Sequence, residues 1–123
     1  MGTSGSEIKA QYANCHIRPI WLLSSIPTVV AMNAAEEPGT LVYNVYFNRD
    51  ETLFTYLETY SDSETGLFHA GRFAEGEYVG QILERTDGGR LCFYGDVSIE
   101  FKAWAIDNGF EIEFFTRIDG FVR

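Results

Sequence analysis

A histidine, a glutamate and a tyrosine are the residues whose types and spacing point most directly to acid–base chemistry. Glu58 and Tyr60 lie two residues apart in an alternating stretch, so in a strand they share one face. His69, one of two histidines in the chain, follows Asp62 by seven residues. In a helix capped by Asp62 this places His69 two turns in, within reach of the strand end. Because an unperturbed imidazole titrates near neutrality, His69 is the candidate general base.

Each candidate also has a structural alternative. His69 could instead be a partly buried helix histidine hydrogen-bonded to the sheet. Glu58 is interpreted either as a buried carboxylate among aromatic side chains or as a half-exposed strand residue paired with Arg72 or Arg49. The second histidine, His16, lies near a predicted strand end, where a surface position is expected.

Composition excludes several function classes. The chain has 123 residues and a formal net charge of −9, and its nine basic residues are scattered. This argues against nucleic acid and against an anionic membrane surface as partners. Cys15 and Cys92 have no metal-ligand spacing, and no nucleotide-binding motif occurs, so no metal or cofactor is expected. The absence of a signal-like segment favours the cytoplasm.

Apolar periodicity and turn residues predict one domain over residues 8–123, after a disordered or tag-like tail at 1–7. The predicted elements, in order, are a strand at Lys9–Ile17, a helix at Trp21–Glu37, strands at Thr40–Phe47 and Thr52–Tyr60, helical pieces at Ser63–Phe73 and from beyond Gly76 to Arg85, a strand at Arg90–Val97, a helix at Ser98–Asp107 and a strand at Phe110–Ile118.

Two of the predicted helices contain residues that oppose helix formation. Pro27 would cost about 3 kcal/mol inside a helix, so the first helix is expected either to start late, capped by Ser24 or Ser25, or to kink. Gly66, Gly76 and other glycines weaken the central helical segment, which could form a mobile lid.

The order of elements predicts an α+β fold. A β-α-β-β-α-β run with an added helix and strand is typical of a ferredoxin-like antiparallel sheet with helices on one face. Because both faces of the predicted strands carry bulky residues, the open face needs a cover. A homodimer through the sheet face is therefore predicted. Nineteen aromatic residues either fill the core or line a cavity or an interface.

Three stretches carry a family resemblance. EEPGTLVYNVYFN (Glu36 to Asn48), YLETYSDSETGLFHA (Tyr56 to Ala70) and LCFYGDVS…FTRIDGFVR resemble the antibiotic biosynthesis monooxygenase-like family, and more narrowly an uncharacterised subgroup of it. The resemblance implies a dimeric α+β barrel with a cavity in each subunit between sheet and helices. Some members of the family oxidise polycyclic aromatic quinols with molecular oxygen and no cofactor, and others degrade haem.

The resemblance implies a small aromatic or apolar ligand and a cofactor-independent quinol-type monooxygenase. In that chemistry His69 and Glu58 are the candidate catalytic residues. Asn44 takes a place where relatives often carry an acidic residue, which leaves it as a hydrogen-bond donor. The candidate ligand-binding residues are Asn44, Tyr46, Tyr56, Tyr60, Phe73 and Tyr94. Two alternatives stay open: a non-catalytic ligand-binding or interaction protein, and haem breakdown with His69 as the iron ligand.

Overall fold

The computed structural model describes the backbone of residues 8–15, 19–85, 89–109 and 111–123, and the side chains of residues 25–82, 84, 90–109 and 111–123. Its elements follow the predicted order. They are β1 (Ile8–Cys15), α1 (Pro19–Glu36), β2 (Thr40–Phe47), β3 (Leu53–Tyr60), α2 (Ser63–Glu75), α3 (Tyr78–Arg85), β4 (Gly89–Tyr94), α4 (Ile99–Asp107) and β5 (Glu111–Phe115).

The strands form a five-stranded sheet in the order β2-β3-β1-β4-β5. The first four are antiparallel to their neighbours, which confirms the predicted ferredoxin-like α+β fold. The added strand differs, because β5 runs parallel to β4. The reason is α4, which carries the chain back along the sheet so that β5 starts from the same end as β4.

The polar residues Asn48 to Glu51, between the two predicted strands, form the turn of the hairpin of β2 and β3. The Asn48 side chain accepts hydrogen bonds from the backbone N–H groups of Thr52 and Leu53, both at 2.9 Å. These bonds fix the turn and thereby the register that pairs Val45 with Tyr56. This register matters for the site because it places Tyr43 directly opposite Glu58.

Helix α1 differs from one of its two predicted forms. It begins at Pro19 rather than after Ser24 or Ser25, so Pro27 lies inside the helix and the late start is wrong. The helix ends at Glu36, where the following Pro38-Gly39 predicted an end. Apolar spacing predicts an inward stripe of Leu22, Ile26, Val29, Val30 and Ala34. The prediction is right for Val29, which is buried, and for Ile26 and Val30, which are half-buried, whereas Ala34 is exposed and Asn33 and Glu37 are buried instead; the side chain of Leu22 lies outside the described ones.

The central helical segment is divided as predicted. Asp62 caps α2 by accepting the Thr65 amide at 2.8 Å, and Gly76 ends the helix. Gly66 has a structural purpose, because a Cβ there would overlap the ring of Phe101 on α4. It allows α2 and α4 to approach closely, and a glycine at this position is therefore required by the contact between helices.

All four helices cover the same face of the sheet. One buried cluster joins β3 and β4 to α2 and α4, and a second joins β3 to α3, with Ile26 of α1 packed against it. Cys92 is a buried free thiol. Within the described residues, no helix has the length and apolarity that crossing a membrane requires.

Candidate functional site

His69 lies at the junction of the two buried clusters. It is on the inward face of α2 and is only 7% exposed. The centre of its ring is 5.6 Å from that of Tyr60, which belongs to the first cluster. The centre of the His69 ring is also 5.6 Å from that of Tyr43 and 6.4 Å from that of Phe73, which stacks on it. Tyr43 and Phe73 are packed against the second cluster. Aromatic rings thus surround the imidazole at this junction.

Two carboxylates face the two ring nitrogens of His69. Nδ1 is 2.7 Å from Oε1 of Glu37, and Nε2 is 3.6 Å from Oε1 of Glu58. Glu58 also accepts a hydrogen bond from the hydroxyl group of Tyr60. His69, Glu58 and Tyr60 therefore lie close together, as expected from the sequence. The shortest contact of His69, however, is with Glu37, which was not predicted as a site residue.

Glu37 is buried more completely than any other acidic residue that the structure describes, with 1% exposure. Besides His69, its carboxylate accepts a hydrogen bond from the Thr40 hydroxyl at 2.9 Å and lies 3.1 Å from Nη1 of Arg72. Arg72 reaches outward to pair with Glu36 as well. Arg72 was an expected partner of Glu58, but its ion pairs in the structure are with these two glutamates of the α1 end.

This arrangement keeps His69 charged at neutral pH. Burial alone would lower the pKa of His69, but the contacts with Glu37 and Glu58 outweigh burial and raise it from 6.5 to about 9. Burial would likewise raise the pKa of Glu37, yet His69, Thr40 and Arg72 together hold it below 4.5. His69 and Glu37 therefore form a buried ion pair. At 3.6 Å, Glu58 acts on the imidazolium mainly through its charge.

The neighbouring phenols remain protonated. Burial and the Glu58 carboxylate raise the pKa of Tyr60 well above 10, and the same two causes raise that of Tyr43. Both hydroxyl groups are therefore available only as neutral hydrogen-bonding groups. The chemistry of the site depends on one imidazolium and the carboxylates beside it.

A cavity of about 50 Å³ lies beside His69, between α1 and the α2–α3 junction. The described residues that line it are Val29, Met32, Asn33, His69, Arg72, Phe73, Gly76 and Tyr78. Met32 and Gly76 are exposed and mark its outer end. The cavity is smaller than the several hundred Å³ typical of ligand pockets, so an aromatic molecule requires some opening of this wall.

The predicted ligand-binding residues are distributed over both faces of the sheet. Phe73 lines the cavity, Tyr60 contacts His69, and Tyr56 is buried on the same inner face. Asn44 and Tyr46 are exposed and alternate with inward-facing Tyr43 and Val45, so their side chains lie on the opposite face. Their position does not support a role in this cavity.

Tyr94 is also displaced from the cavity. It pairs in the sheet with Phe115 on β5, and the two rings stack with centres 4.8 Å apart. Its strand neighbour Phe93 faces the helices, so Tyr94 points to the outer face. Like Asn44 and Tyr46, it belongs to the surface predicted to form a dimer.

Sequence reasoning missed Glu37, Asn33 and the position of Arg72 in the site. Val29, Asn33 and Glu37 follow one another at intervals of four, and all are buried. A stripe that is apolar at first and polar at its end is a detectable signal of a polar site beneath a helix end. In the sequence prediction Glu37 is only the last residue of the first helix.

In the haem alternative, His69 is the expected iron ligand. Within the described residues, no group of three or more His, Cys, Asp and Glu side chains is arranged to hold a metal ion. One nitrogen of His69 is bonded to Glu37, and the ring is protonated at neutral pH, because its pKa is raised to about 9. An iron at Nε2 would have to displace this proton, because a metal ligand must be a neutral imidazole, and the Glu37 contact at Nδ1 is one that metal-bound histidines also make. The haem alternative therefore stays a prediction.

Solved structures share this fold. MupZ from Pseudomonas fluorescens superposes with a TM-score of 0.75 at 22% identity, over 100% of this chain and 94% of that chain. A point mutant of SnoaB from Streptomyces nogalater, a cofactor-independent oxygenase, superposes with a TM-score of 0.62 at 12% identity, over 76% of this chain and 95% of that chain. A putative antibiotic biosynthesis monooxygenase from Bacteroides thetaiotaomicron superposes with a TM-score of 0.59 at 18% identity, over 77% of this chain and 91% of that chain.

The chain has the fold of the antibiotic biosynthesis monooxygenase-like proteins. The similarity to MupZ extends over the whole chain and so includes α4 and β5. The sequence itself matches no protein-family model and no curated protein. At these identities the shared feature is the fold, and the function must be argued from the site.

Proposed function

We propose that this protein binds a small aromatic molecule with an acidic phenol or enol group beside His69 and oxidises it with molecular oxygen, without a metal or cofactor. One observation carries the proposal: His69 lies between Glu37 at 2.7 Å and Glu58 at 3.6 Å at the wall of a cavity. The shared fold with a cofactor-independent oxygenase supports it.

The proposed reaction needs only oxygen as a second reactant. An anthrone-type substrate loses a proton from its ring methylene, or from the hydroxyl group of its enol tautomer. Both routes give the same electron-rich anion. The anion supplies electrons to O₂, one oxygen atom forms the new C=O bond, and the other leaves as water with the two hydrogens of the methylene. The substrate loses four electrons and O₂ gains them, so no further reductant is required.

The charge of His69 changes the role that its sequence position predicted. A general base must be unprotonated, whereas this imidazolium carries its proton at neutral pH. In the proposed mechanism His69 instead stabilises the substrate anion, whose proton passes to solvent, and Glu58, which contacts His69 but does not line the cavity, keeps the imidazole charged. The aromatic rings of Tyr43, Tyr60 and Phe73 keep water away from the anion.

The protein is proposed to act in the cytoplasm as a homodimer that packs sheet against sheet. Apolar residues that the helices leave uncovered support this: Val42 and Leu57 on the outer sheet face are 36% and 37% exposed, and Tyr46 is 52% exposed. Patches of this kind usually mark an interaction surface. The arrangement completes the dimeric α+β barrel that the fold predicts.

A second candidate function is ligand binding without turnover. The observation that favours it is the size of the cavity, about 50 Å³, which leaves little room for an aromatic substrate and oxygen together. The two candidates predict different results for oxygen consumption and the same result for ligand binding.

Oxygen uptake with anthrone as the substrate tests the proposal. The wild type is expected to consume oxygen above the spontaneous rate, and His69→Gln to lose at least about tenfold, as expected for losing a charged hydrogen-bond donor. Arg90→Gln is the matched control, because Arg90 pairs with Glu113 at the β4–β5 edge. Thermal stabilisation by anthrone without oxygen uptake would instead support binding alone.

A further inference from the structure

The residues that follow β5 expose several large apolar side chains. Residues 116–123, which we call the arm, form neither a helix nor a strand. Ile118 is 97% exposed, more than any other large apolar residue whose side chain the structure describes, and Phe121 and Val122 are 76% and 47% exposed. Exposed apolar residues this close together usually mark an interaction surface.

The arm has a local shape of its own. Arg117 donates a hydrogen bond to the carbonyl oxygen of Gly120, and the Asp119 carboxylate accepts one from the Gly120 amide at 2.7 Å. The Arg123 guanidinium lies 4.7 Å from the centre of the Phe121 ring. Within the described part of the chain, the hydrogen bonds and ring contacts of the arm all join two of its own residues. The arm therefore holds a turn while its apolar side chains stay uncovered.

The arm starts beside the open face of the sheet. Phe115, the last residue of β5, stacks on Tyr94, whose side chain points to that face. The outer patch, formed by the exposed residues Val42, Tyr46 and Leu57, lies on β2 and β3 of the same face. Because β2 and β5 are the two edges of the sheet, they are about 19 Å apart at the usual strand spacing of about 4.8 Å. In a single chain, the arm and the outer patch therefore lie at different sides of the sheet, and both stay exposed.

The charge of the arm is opposite to that of the rest of the chain. The arm contains two arginines and one aspartate, so its side chains carry a net charge of +1. Because the whole chain carries −9, the other residues together carry −10. Two such acidic chains repel each other, and a basic arm laid on the partner reduces this repulsion at the contact.

We propose that the arm packs onto the outer patch of a second copy of this chain, so that two copies exchange their arms. The inference rests on the homodimer of the proposed function and adds to it a segment that reaches across to the partner. In a two-fold pair each arm contact occurs twice, once from each chain. The apolar side chains of both arms and both outer patches are then removed from water, which is the dominant favourable contribution to most protein association.

Light scattering over a dilution series tests the arm with two double variants. Ile118→Ser with Phe121→Ser is expected to raise the dissociation constant of the dimer at least about hundredfold, because both arms lose buried apolar surface. Ile99→Ser with Ile106→Ser is the matched control, since these residues of α4 are 83% and 62% exposed in the helical layer. The control is expected to change the constant less than about threefold, as surface substitutions usually do.

Trypsin provides a second test, because it cleaves after arginine and Arg117 lies near the start of the arm. At a fixed trypsin concentration, the rate follows how often the arm is accessible. Cleavage after Arg117 is expected to be at least about tenfold slower in the dimer than in wild type diluted until it scatters as a single 13.9 kDa chain. Mass spectrometry of the released peptide, residues 118–123, measures the rate.

Failure of the arm is distinguishable from failure of the homodimer and of the oxygenase. A wild type that scatters as a single chain at every concentration would overturn both the homodimer and the arm. A dimer whose dissociation constant rises no more in the arm variant than in the α4 control, or whose Arg117 is cleaved as fast as in the diluted chain, would overturn the arm alone. Oxygen uptake with anthrone on the same samples decides the oxygenase and not the arm.

Discussion

Glu37 is the residue on which the charge of the site depends most. Its buried carboxylate holds Nδ1 of His69 across 32 positions of sequence, and Arg72 and Thr40 balance it from the other sides. The adjacent Glu36 has the same charge, but its side chain is 58% exposed. Both glutamates contact Arg72, but one is exposed and the other is buried, which makes them a matched pair for mutation.

Glu37→Gln is expected to destabilise the protein by about 3 kcal/mol at about pH 7, the lower end of the range for breaking a buried ion pair. Glu36→Gln is expected to cost less than about 1 kcal/mol, because exposed ion pairs contribute little. Urea unfolding of both variants measures the difference. Equal losses in the two variants would contradict the assignment of Glu37 as the buried partner of His69.

The His69 pair also predicts how stability depends on pH. The folded pKa of His69 is raised above 6.5, so its contribution is fully present below pH 6.5 and is lost as pH rises through about 9. The folded pKa of Glu37 is lowered, so its contribution is present above pH 4.5 and is lost as pH falls. The groups facing His69 are Glu37, Glu58, Tyr43 and Tyr60, and both phenols stay neutral in this range, since burial raises the pKa of each.

Wild-type stability is therefore expected to fall between about pH 6.5 and about pH 9.5, whereas that of His69→Gln is expected to stay nearly constant there. Thermal unfolding across this pH range measures both curves. A wild-type curve parallel to that of the variant would show that His69 carries no proton linked to folding.

At the residue scale, the sequence predicted only the local part of the site. Glu58, Tyr60 and His69 follow from strand alternation and from a helix capped by Asp62, and these are rules of short range. Glu37 required knowing which face of α1 turns inward, and the apolar stripe misplaced that face by one position, at Ala34 instead of Asn33.

At the scale of elements, turn and cap residues predicted the boundaries well. Asp62, Gly76 and Ser98 each occupy the end that local chemistry assigned to them. Pro27 does not mark a helix end. It lies inside α1, where helix propensity alone would exclude a proline. Tertiary contacts of α1 with the sheet and the second cluster offset the local cost, and a single sequence does not display such contacts.

The glycines of α2 provide a prediction at this scale. Gly66→Ala is expected to destabilise the protein by about 1 to 3 kcal/mol, because the new Cβ meets the Phe101 ring. Gly71→Ala is expected to stabilise it by up to about 1 kcal/mol, since a Cβ there meets nothing within 4 Å. Denaturant unfolding distinguishes them, and a change of the same sign in both would contradict the described contact between α2 and α4.

At the scale of the whole molecule, the helices cover one face of the sheet and leave the other open. Val42, Tyr46 and Leu57 are exposed on or beside that open face. The order of elements predicted this division correctly, since two strand pairs with intervening helices close only one side of a sheet. The sequence could not show what covers the second face, because that depends on another chain.

Leu57→Lys tests the proposed homodimer. A lysine on the outer face of β3 would bury a charge between two sheets, so the variant is expected to scatter light as a single 13.9 kDa chain while the wild type scatters as twice that mass. Ile106→Lys is the control, because Ile106 is 62% exposed on α4, in the helical layer. A wild-type protein of single-chain mass at micromolar concentration would contradict the dimer.

The ion pair around His69 is the central claim, and an NMR titration of the imidazole tests it most directly. The chain has two histidines, and the spectrum of His69→Gln identifies which signals belong to His69. The pKa of His69 is expected to be about 9, because Glu37 and Glu58 stabilise its charged form. A pKa at or below 6.5 would show that burial outweighs these carboxylates and that the site contains a neutral histidine.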